Sequence, residues 1–234
     1  IYFGDTAHVP YGSKSIQTVQ NYSNQITQFL LNHNVKIIVI ACNTASSVAS
    51  KLLRNKFDIP IFEVVTPSVK QAISYYRNGK IGIIGTQSTI ASNSYVEKFI
   101  TLSPHIKTVQ QACPLFVPLI EENWHKTDIA KDVASIYLKP FTRNHLDALV
   151  LGCTHYPIME TIIQSIVGAS VKLISSGPAV SKVVKKFLIE NNLQNDSTNP
   201  KVEAFFVTDL PQKFDELGSQ FLGRSLKNVN HIKL

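Results

Sequence analysis

The sequence is poor in cysteine and has no long apolar run, and both absences narrow the classes to which the protein can belong. It holds three cysteines in 234 residues, an odd number without close spacing. This argues against a disulfide scaffold or a zinc ribbon and favours a reducing compartment, so we expect a cytoplasmic protein. No apolar run approaches the roughly 18–20 residues that a membrane-spanning helix needs, and we expect a soluble chain without a membrane partner.

Basic residues interleaved with aromatic ones, the pattern of single-strand binders, are also missing. The formal net charge is +7, which is compatible with nucleic acid, an acidic surface or a small anionic substrate. The Lys and Arg residues are scattered, and the longest basic cluster, at 182–187, is better interpreted as a solvated helix face. We therefore do not expect a nucleic-acid partner.

Apolar strands alternate with helices along most of the chain. Apolar residues recur at helical spacing from Gln17, and the β-branched run at 35–41 then predicts a buried strand. The same step repeats as far as a predicted strand at 202–208, and the polar cluster at 193–200 predicts a surface loop. Continuous apolar strands between helices are typical of parallel sheets covered on both faces, so the predicted fold class is α/β.

Two segments share one layout, in which an apolar run and a small residue precede a cysteine, a nearby Thr and a predicted helix. They are VIACNTASS at 39–47 and VLGCTHYP at 150–157. Ligands of open α/β sheets bind outside the carboxyl ends of the strands, where we expect both Cys42 and Cys153 to lie. A helix N-terminus favours the thiolate, so each thiol is predicted to have a lowered pKa and to act as a base near neutral pH.

Other interpretations of the cysteines are open. Each of the two fits a small buried hydrophobe, the commonest role of a free cysteine, although the repeated layout weakens that interpretation. A metal site at Cys153 and His155 would need more soft ligands, and no paired CxxC or HxxxH motif supplies them. Cys113 lies outside both layouts and is predicted to be a core residue without chemistry.

Two equivalent bases suit the inversion of a stereocentre, because one group removes a proton from one face of the carbon while the other supplies a proton to the opposite face. The segments ACNTAS and LGCTHYP, with YFGDTAHVPYG before them and ACPLFVPLIEE between them, resemble the glutamate racemases of the cofactor-independent aspartate/glutamate racemase superfamily. The resemblance runs over essentially the whole chain. It implies interconversion of L- and D-glutamate, which supplies D-glutamate for bacterial peptidoglycan.

The resemblance also implies an architecture. It consists of two pseudo-symmetric three-layer α/β/α domains with mainly parallel sheets and an active site in the cleft between them. The first domain would be discontinuous, with residues 1–65 and 177–234, and the second would span residues 66–176. The family is compatible with a homodimer, although no residue demands one.

Twelve residues acquire roles from the resemblance. Cys42 would take the α-proton of D-glutamate and Cys153 that of L-glutamate, with help from Glu121 and His155. The residues implied to bind the substrate are Pro10, Tyr11, Gly12, Asn43, Thr44, Thr86, Thr89 and Thr154. Neither a cofactor nor a metal is implied, and no G-x-G-x-x-G motif opens a helix that could hold a nucleotide.

One segment of the family's pattern is absent from the printed sequence. Members begin with a strand and an Asp-Ser-Gly-type loop, whose Asp assists the first cysteine and whose Ser contacts substrate, and the 234 residues start after it. Two alternatives are open besides glutamate racemisation. One is racemisation of aspartate or another small amino acid, and the other is a non-catalytic module that binds dicarboxylates.

Overall fold

The protein is built from β-strands and α-helices that alternate along the chain. The computed structural model describes residues 1–143, 145–195 and 202–234, so residues 196–200 of the predicted loop lie outside the described residues. The strands are β1 (Tyr2–Gly4), β2 (Ile38–Ile40), β3 (Ile61–Glu63), β4 (Lys80–Gly85), β5 (Lys107–Ala112), β6 (Leu146–Gly152), β7 (Lys172–Ser175), β8 (Phe205–Val207) and β9 (Val229–His231). Every strand pair found among the described residues is parallel. The predicted α/β class with parallel sheets is confirmed.

Helices connect most of these strands. They are α1 (Ile16–Leu31), α2 (Asn43–Lys56), α3 (Val65–Ile73), α4 (Gln87–Ala91), α5 (Ser94–Leu102), α6 (Phe116–Glu121), α7 (Asp128–Thr142), α8 (Glu160–Val167), α9 (Ser176–Glu190) and α10 (Pro211–Leu222). Side-chain caps fix where some begin: Ser15 accepts from the amide of Thr18 at 3.2 Å at the start of α1. Of the helices in the described ranges, none combines the length and apolarity needed to span a membrane.

A four-stranded parallel sheet with the order β5-β4-β6-β7 is the largest sheet among the described residues. All seven residues of β6 are buried, because side chains alternate between two covered faces. Leu149 and Leu151 pack with α6, α7 and α8 on one face. Ala148 and Val150 pack with α3 and α5 on the other. This gives three layers, helix, sheet and helix.

Two smaller parallel sheets are also present, and the beginning and the end of the chain meet in the three-stranded one. Strand β1 pairs with β8, and β9 extends this sheet on the other side of β8. Strands β2 and β3 form a second sheet, and α1 packs on α2 beside it. The proposed division into residues 1–65 with 177–234 and residues 66–176 stays a prediction.

The carboxyl ends of the strands position the candidate site. In the four-stranded sheet Gly85 is in register with Ala112 and with Gly152, so these three strands end at one level. Cys153 and the first residues after β4 and β5 therefore lie side by side at this edge of the sheet. Cys42 follows the end of β2 by two residues and immediately precedes α2.

Candidate active site

Cys42 occupies the N-cap position of α2. Its carbonyl oxygen accepts a hydrogen bond from the amide of Ser46 at 2.8 Å, and its side chain packs against a cluster that includes Tyr11 and Ala45. Burial raises the pKa of the thiol above its ordinary value, although hydrogen bonds from Ala45 and Thr44 lower it in part. The predicted lowering is wrong, because loss of hydration outweighs the helix N-terminus.

Cys153 directly follows β6 and is 7% exposed. The chain first makes a 3-10 turn at Tyr156–Met159 before α8 begins, so this thiol does not sit at an α-helix N-terminus as predicted. Burial raises the pKa of Cys153 to about 12, although hydrogen bonding to the backbone of His155 lowers it in part. The prediction of a lowered pKa is therefore wrong for Cys153 as well.

The two thiols lie within electrostatic range of each other. Negative charge on Cys42 adds to the rise in the pKa of Cys153. The pair therefore resists a doubly ionised state, so that when one thiol ionises the other stays protonated, giving one thiolate beside one thiol. An inversion by two bases needs this combination, since one sulfur must accept a proton while the other donates one.

His155 lies between Cys153 and Glu121. Its Nδ1 is 3.8 Å from Cys153 Sγ, and its Nε2 is 3.3 Å from Glu121 Oε1. The hydrogen bond and the positive charge of His155 lower the pKa of Glu121, which keeps that carboxyl group ionised. A thiol, an imidazole and a carboxylate in this order can hold the ring in one orientation and move a proton to or from the sulfur.

Three of the threonines predicted to bind substrate form one hydrogen-bonded cluster. Thr44 Oγ1 is 3.0 Å from Thr86 Oγ1 and 3.1 Å from Thr89 Oγ1, and the latter two are 3.0 Å apart. Thr44 belongs to the first turn of α2, whereas Thr86 and Thr89 follow β4. Because hydroxyl groups rotate freely, the cluster can turn its protons toward an anion.

The predicted loop of Pro10, Tyr11 and Gly12 packs directly on this cluster. Its Val9–Pro10 peptide bond is cis. A Cβ atom on Gly12 would lie 2.5 Å from the Cβ of Thr86, so only glycine lets the backbone come this close. The structure therefore brings residues from widely separated parts of the sequence to one place.

Thr154 is placed apart from that cluster. Its side chain is exposed, and its Oγ1 lies 3.4 Å from Nδ1 of His155.

Cys113 is fully buried in the core, as predicted, and burial raises its pKa far above the ordinary value. Within the described ranges no group of three or more His, Cys, Asp or Glu side chains could hold a metal ion.

Sequence reasoning missed a buried carboxylate beneath the 10–12 loop. Asp5 is 8% exposed and accepts hydrogen bonds from the hydroxyl of Tyr11 and, at 2.8 Å, from that of Thr208. Nδ1 of His8 lies 2.7 Å from the same carboxylate. The sequence feature that could have revealed Asp5 is its position directly after β1, because the two cysteines also follow strand ends. The hydroxyl proton of Tyr11 is therefore already donated to Asp5.

The chain is similar to several glutamate racemases. The curated glutamate racemase of Syntrophus aciditrophicus (strain SB) is 40% identical over 234 residues, which cover 100% of this chain and 87% of the relative. A solved glutamate racemase isoform from Bacillus anthracis has a TM-score of 0.95 at 33% identity, with 100% of this chain and 87% of that chain covered.

A second solved relative, the glutamate racemase of Francisella tularensis subsp. tularensis SCHU S4 in complex with D-glutamate, has a TM-score of 0.92 at 37% identity. The match covers 99% of this chain and 86% of that one. The Asp/Glu/Hydantoin racemase profile matches residues 1–183. Because its whole length is matched by a curated relative at 40% identity and the family profile covers residues 1–183, the chain belongs to the Asp/Glu/Hydantoin racemase family, as its two cysteine motifs indicate.

Proposed function

We propose that the chain interconverts L- and D-glutamate without a cofactor, with Cys42 and Cys153 as the two bases. The observation that carries the proposal is the placement of a half-buried and a buried thiol, Cys42 and Cys153, at two strand ends, close enough for charge on one to raise the pKa of the other. The similar Francisella structure contains D-glutamate. In a bacterial cell the D-glutamate formed would serve peptidoglycan synthesis, and three free cysteines fit a cytoplasmic location.

The proposed reaction transfers one proton on each face of the α-carbon. From D-glutamate, the Cys42 thiolate takes the α-proton, so that an S–H bond forms as the C–H bond breaks. The electron pair left on carbon spreads into the α-carboxylate, and the Cys153 thiol then donates its proton to the opposite face. Cys153 is left as the thiolate, and proton exchange restores the starting state. From L-glutamate the two sulfurs exchange roles.

His155 and Glu121 are proposed to serve the Cys153 side. The ring of His155 reaches both Cys153 and Glu121, so it can carry a proton to or from Cys153 between turnovers. Glu121 keeps the ring oriented through its contact with Nε2. Both side chains are partly exposed, at 34% and 41%, which allows the proton to exchange with water.

Substrate binding is proposed to involve the residues that surround the two thiols. Those residues are Pro10, Tyr11, Gly12, Asn43, Thr44, Thr86, Thr89 and Thr154. Their hydroxyl, carboxamide and backbone groups can donate to carboxylates or accept from an ammonium group. The net charge of +7 favours approach of an anionic substrate.

Circular dichroism at a wavelength where glutamate enantiomers differ tests the proposal. The full chain should bring either D- or L-glutamate to an optically inactive mixture, and D-aspartate should be converted far more slowly. Racemisation of aspartate alone would contradict the substrate assignment. Calorimetric binding of D-glutamate without inversion would instead identify a non-catalytic dicarboxylate module.

Activity should rise with pH through the neutral and mildly alkaline range. Burial raises the pKa of both thiols, so the state with one thiolate is scarce at neutral pH and increases about tenfold per pH unit below the first pKa. Measurement of kcat/KM for D-glutamate from about pH 6 to pH 9 should show this rise. A plateau reached below pH 7 would contradict the raised thiol pKa values.

A further inference from the structure

A carboxamide beside the first thiol is held by two hydroxyl groups. Asn43, which follows Cys42, is 2% exposed. Its Oδ1 accepts a hydrogen bond from the hydroxyl of Tyr95 at 2.6 Å and another from that of Ser176 at 3.0 Å. Its Nδ2 is also buried and has no hydrogen-bond partner within the described part of the chain.

The two hydroxyl groups determine how the carboxamide is turned. An amide oxygen has two lone pairs and can accept from both, whereas an NH2 group in the same place could accept from neither. In the reversed orientation the Ser176 proton would be left with the carbonyl oxygen of Leu151, 3.4 Å away. The observed orientation therefore leaves Nδ2 of Asn43 as the free donor, and a buried donor is costly unless it meets an acceptor.

Tyr95 and Ser176 also tie this carboxamide to the strand that carries the second thiol. Tyr95 is 1% exposed, and a Cβ atom on Gly152 would lie 3.4 Å from its Cε2. Ser176 begins α9, beside the carbonyl oxygen of Leu151 in β6. The group next to Cys42 is thus oriented by residues that contact the two positions before Cys153.

We infer that Tyr95 and Ser176 are positioning residues, which orient the Asn43 carboxamide so that its Nδ2 donates to a carboxylate of the substrate. The inference rests on the proposed racemase function and names two residues outside the motifs that indicate it. Neither hydroxyl needs to touch the substrate. Each fixes a donor that does, and fixing it in advance lowers the cost of binding.

The test uses the purified full chain with Tyr95→Phe or Ser176→Ala. Each change removes one hydroxyl group, and each should raise KM for D-glutamate about fivefold with kcat changed less than about twofold. The dissociation constant of D-glutamate from calorimetry should rise by the same factor. A purely structural role would reduce the amount of folded enzyme and hence the maximal rate, but would leave KM and the dissociation constant unchanged.

Ser181→Ala is the matched control. Ser181 lies on the same helix as Ser176, but its hydroxyl is exposed and donates to the carbonyl oxygen of Pro178 at 3.1 Å. Its KM should equal that of the parent chain. If Tyr95→Phe fails to fold, the smaller Ser176→Ala change decides the question alone.

The outcomes separate the inference from the function on which it rests. An active parent whose KM and dissociation constant are unchanged in the variants overturns the positioning role and leaves the racemase intact. A parent that binds D-glutamate without inverting it overturns the racemase, and the dissociation constants of the variants then decide the positioning role. A parent that does not bind glutamate overturns both.

Discussion

Replacing either Cys42 or Cys153 with serine should lower the rate of glutamate racemisation by about 10³-fold or more. A serine hydroxyl is much less acidic than a thiol, so the variant has neither a usable base nor an acid of matched strength on that face. Both thiols are required because each serves one face of the α-carbon. The effect is measured by monitoring racemisation with circular dichroism, starting from D-glutamate and, separately, from L-glutamate.

Deuterium exchange adds a readout that distinguishes two bases from one. In deuterated water the Cys153→Ser chain keeps Cys42, so it should still exchange the α-proton of D-glutamate while forming little L-glutamate. Cys113→Ala is the control, because this third thiol is buried in the core. The activity of the Cys113→Ala variant should stay within about twofold of that of the parent chain. Near-parental racemisation by either serine variant would exclude the two-thiol mechanism.

Regular apolar patterns made much of the fold predictable. The apolar run LDALVLG at 146–152 predicts a buried strand, which is β6, and the pattern of DIAKDVASIYLKPF from Asp128 predicts a helix, which is α7. Strand β5 at 107–112 was missed because this edge strand is only partly buried and its sequence, KTVQQA, has no continuous apolar run.

The site was predictable where its chemistry is local in sequence. Motifs placed both thiols at strand ends, since a strand followed by a turn can be recognised from neighbouring residues. The sign of the thiol pKa shift was not predictable, because burial depends on elements far away along the chain. The same holds for Tyr95 and Ser176, whose partner Asn43 lies 52 and 133 residues away from them.

Gly152→Ala should both destabilise the fold and suppress activity. A Cβ atom at this position would lie 2.6 Å from the backbone oxygen of Ile84 in the neighbouring strand, which cannot move aside without displacing the sheet. We expect a loss of about 1–3 kcal/mol in the free energy of unfolding. Cys153 is the next residue, so a shift of the strand also moves the thiol and should lower kcat/KM by about 100-fold.

Gly177→Ala distinguishes this effect from the general consequence of replacing a glycine. Gly177 lies in the first turn of α9, and a Cβ atom there would meet nothing within 4 Å. Alanine should therefore leave activity unchanged and stabilise the fold by up to about 1 kcal/mol, because it restricts the unfolded chain. Urea unfolding and kcat/KM for D-glutamate compare the two variants. If Gly152→Ala matched Gly177→Ala in both measurements, close contact between β4 and β6 could not be what holds Cys153 in place.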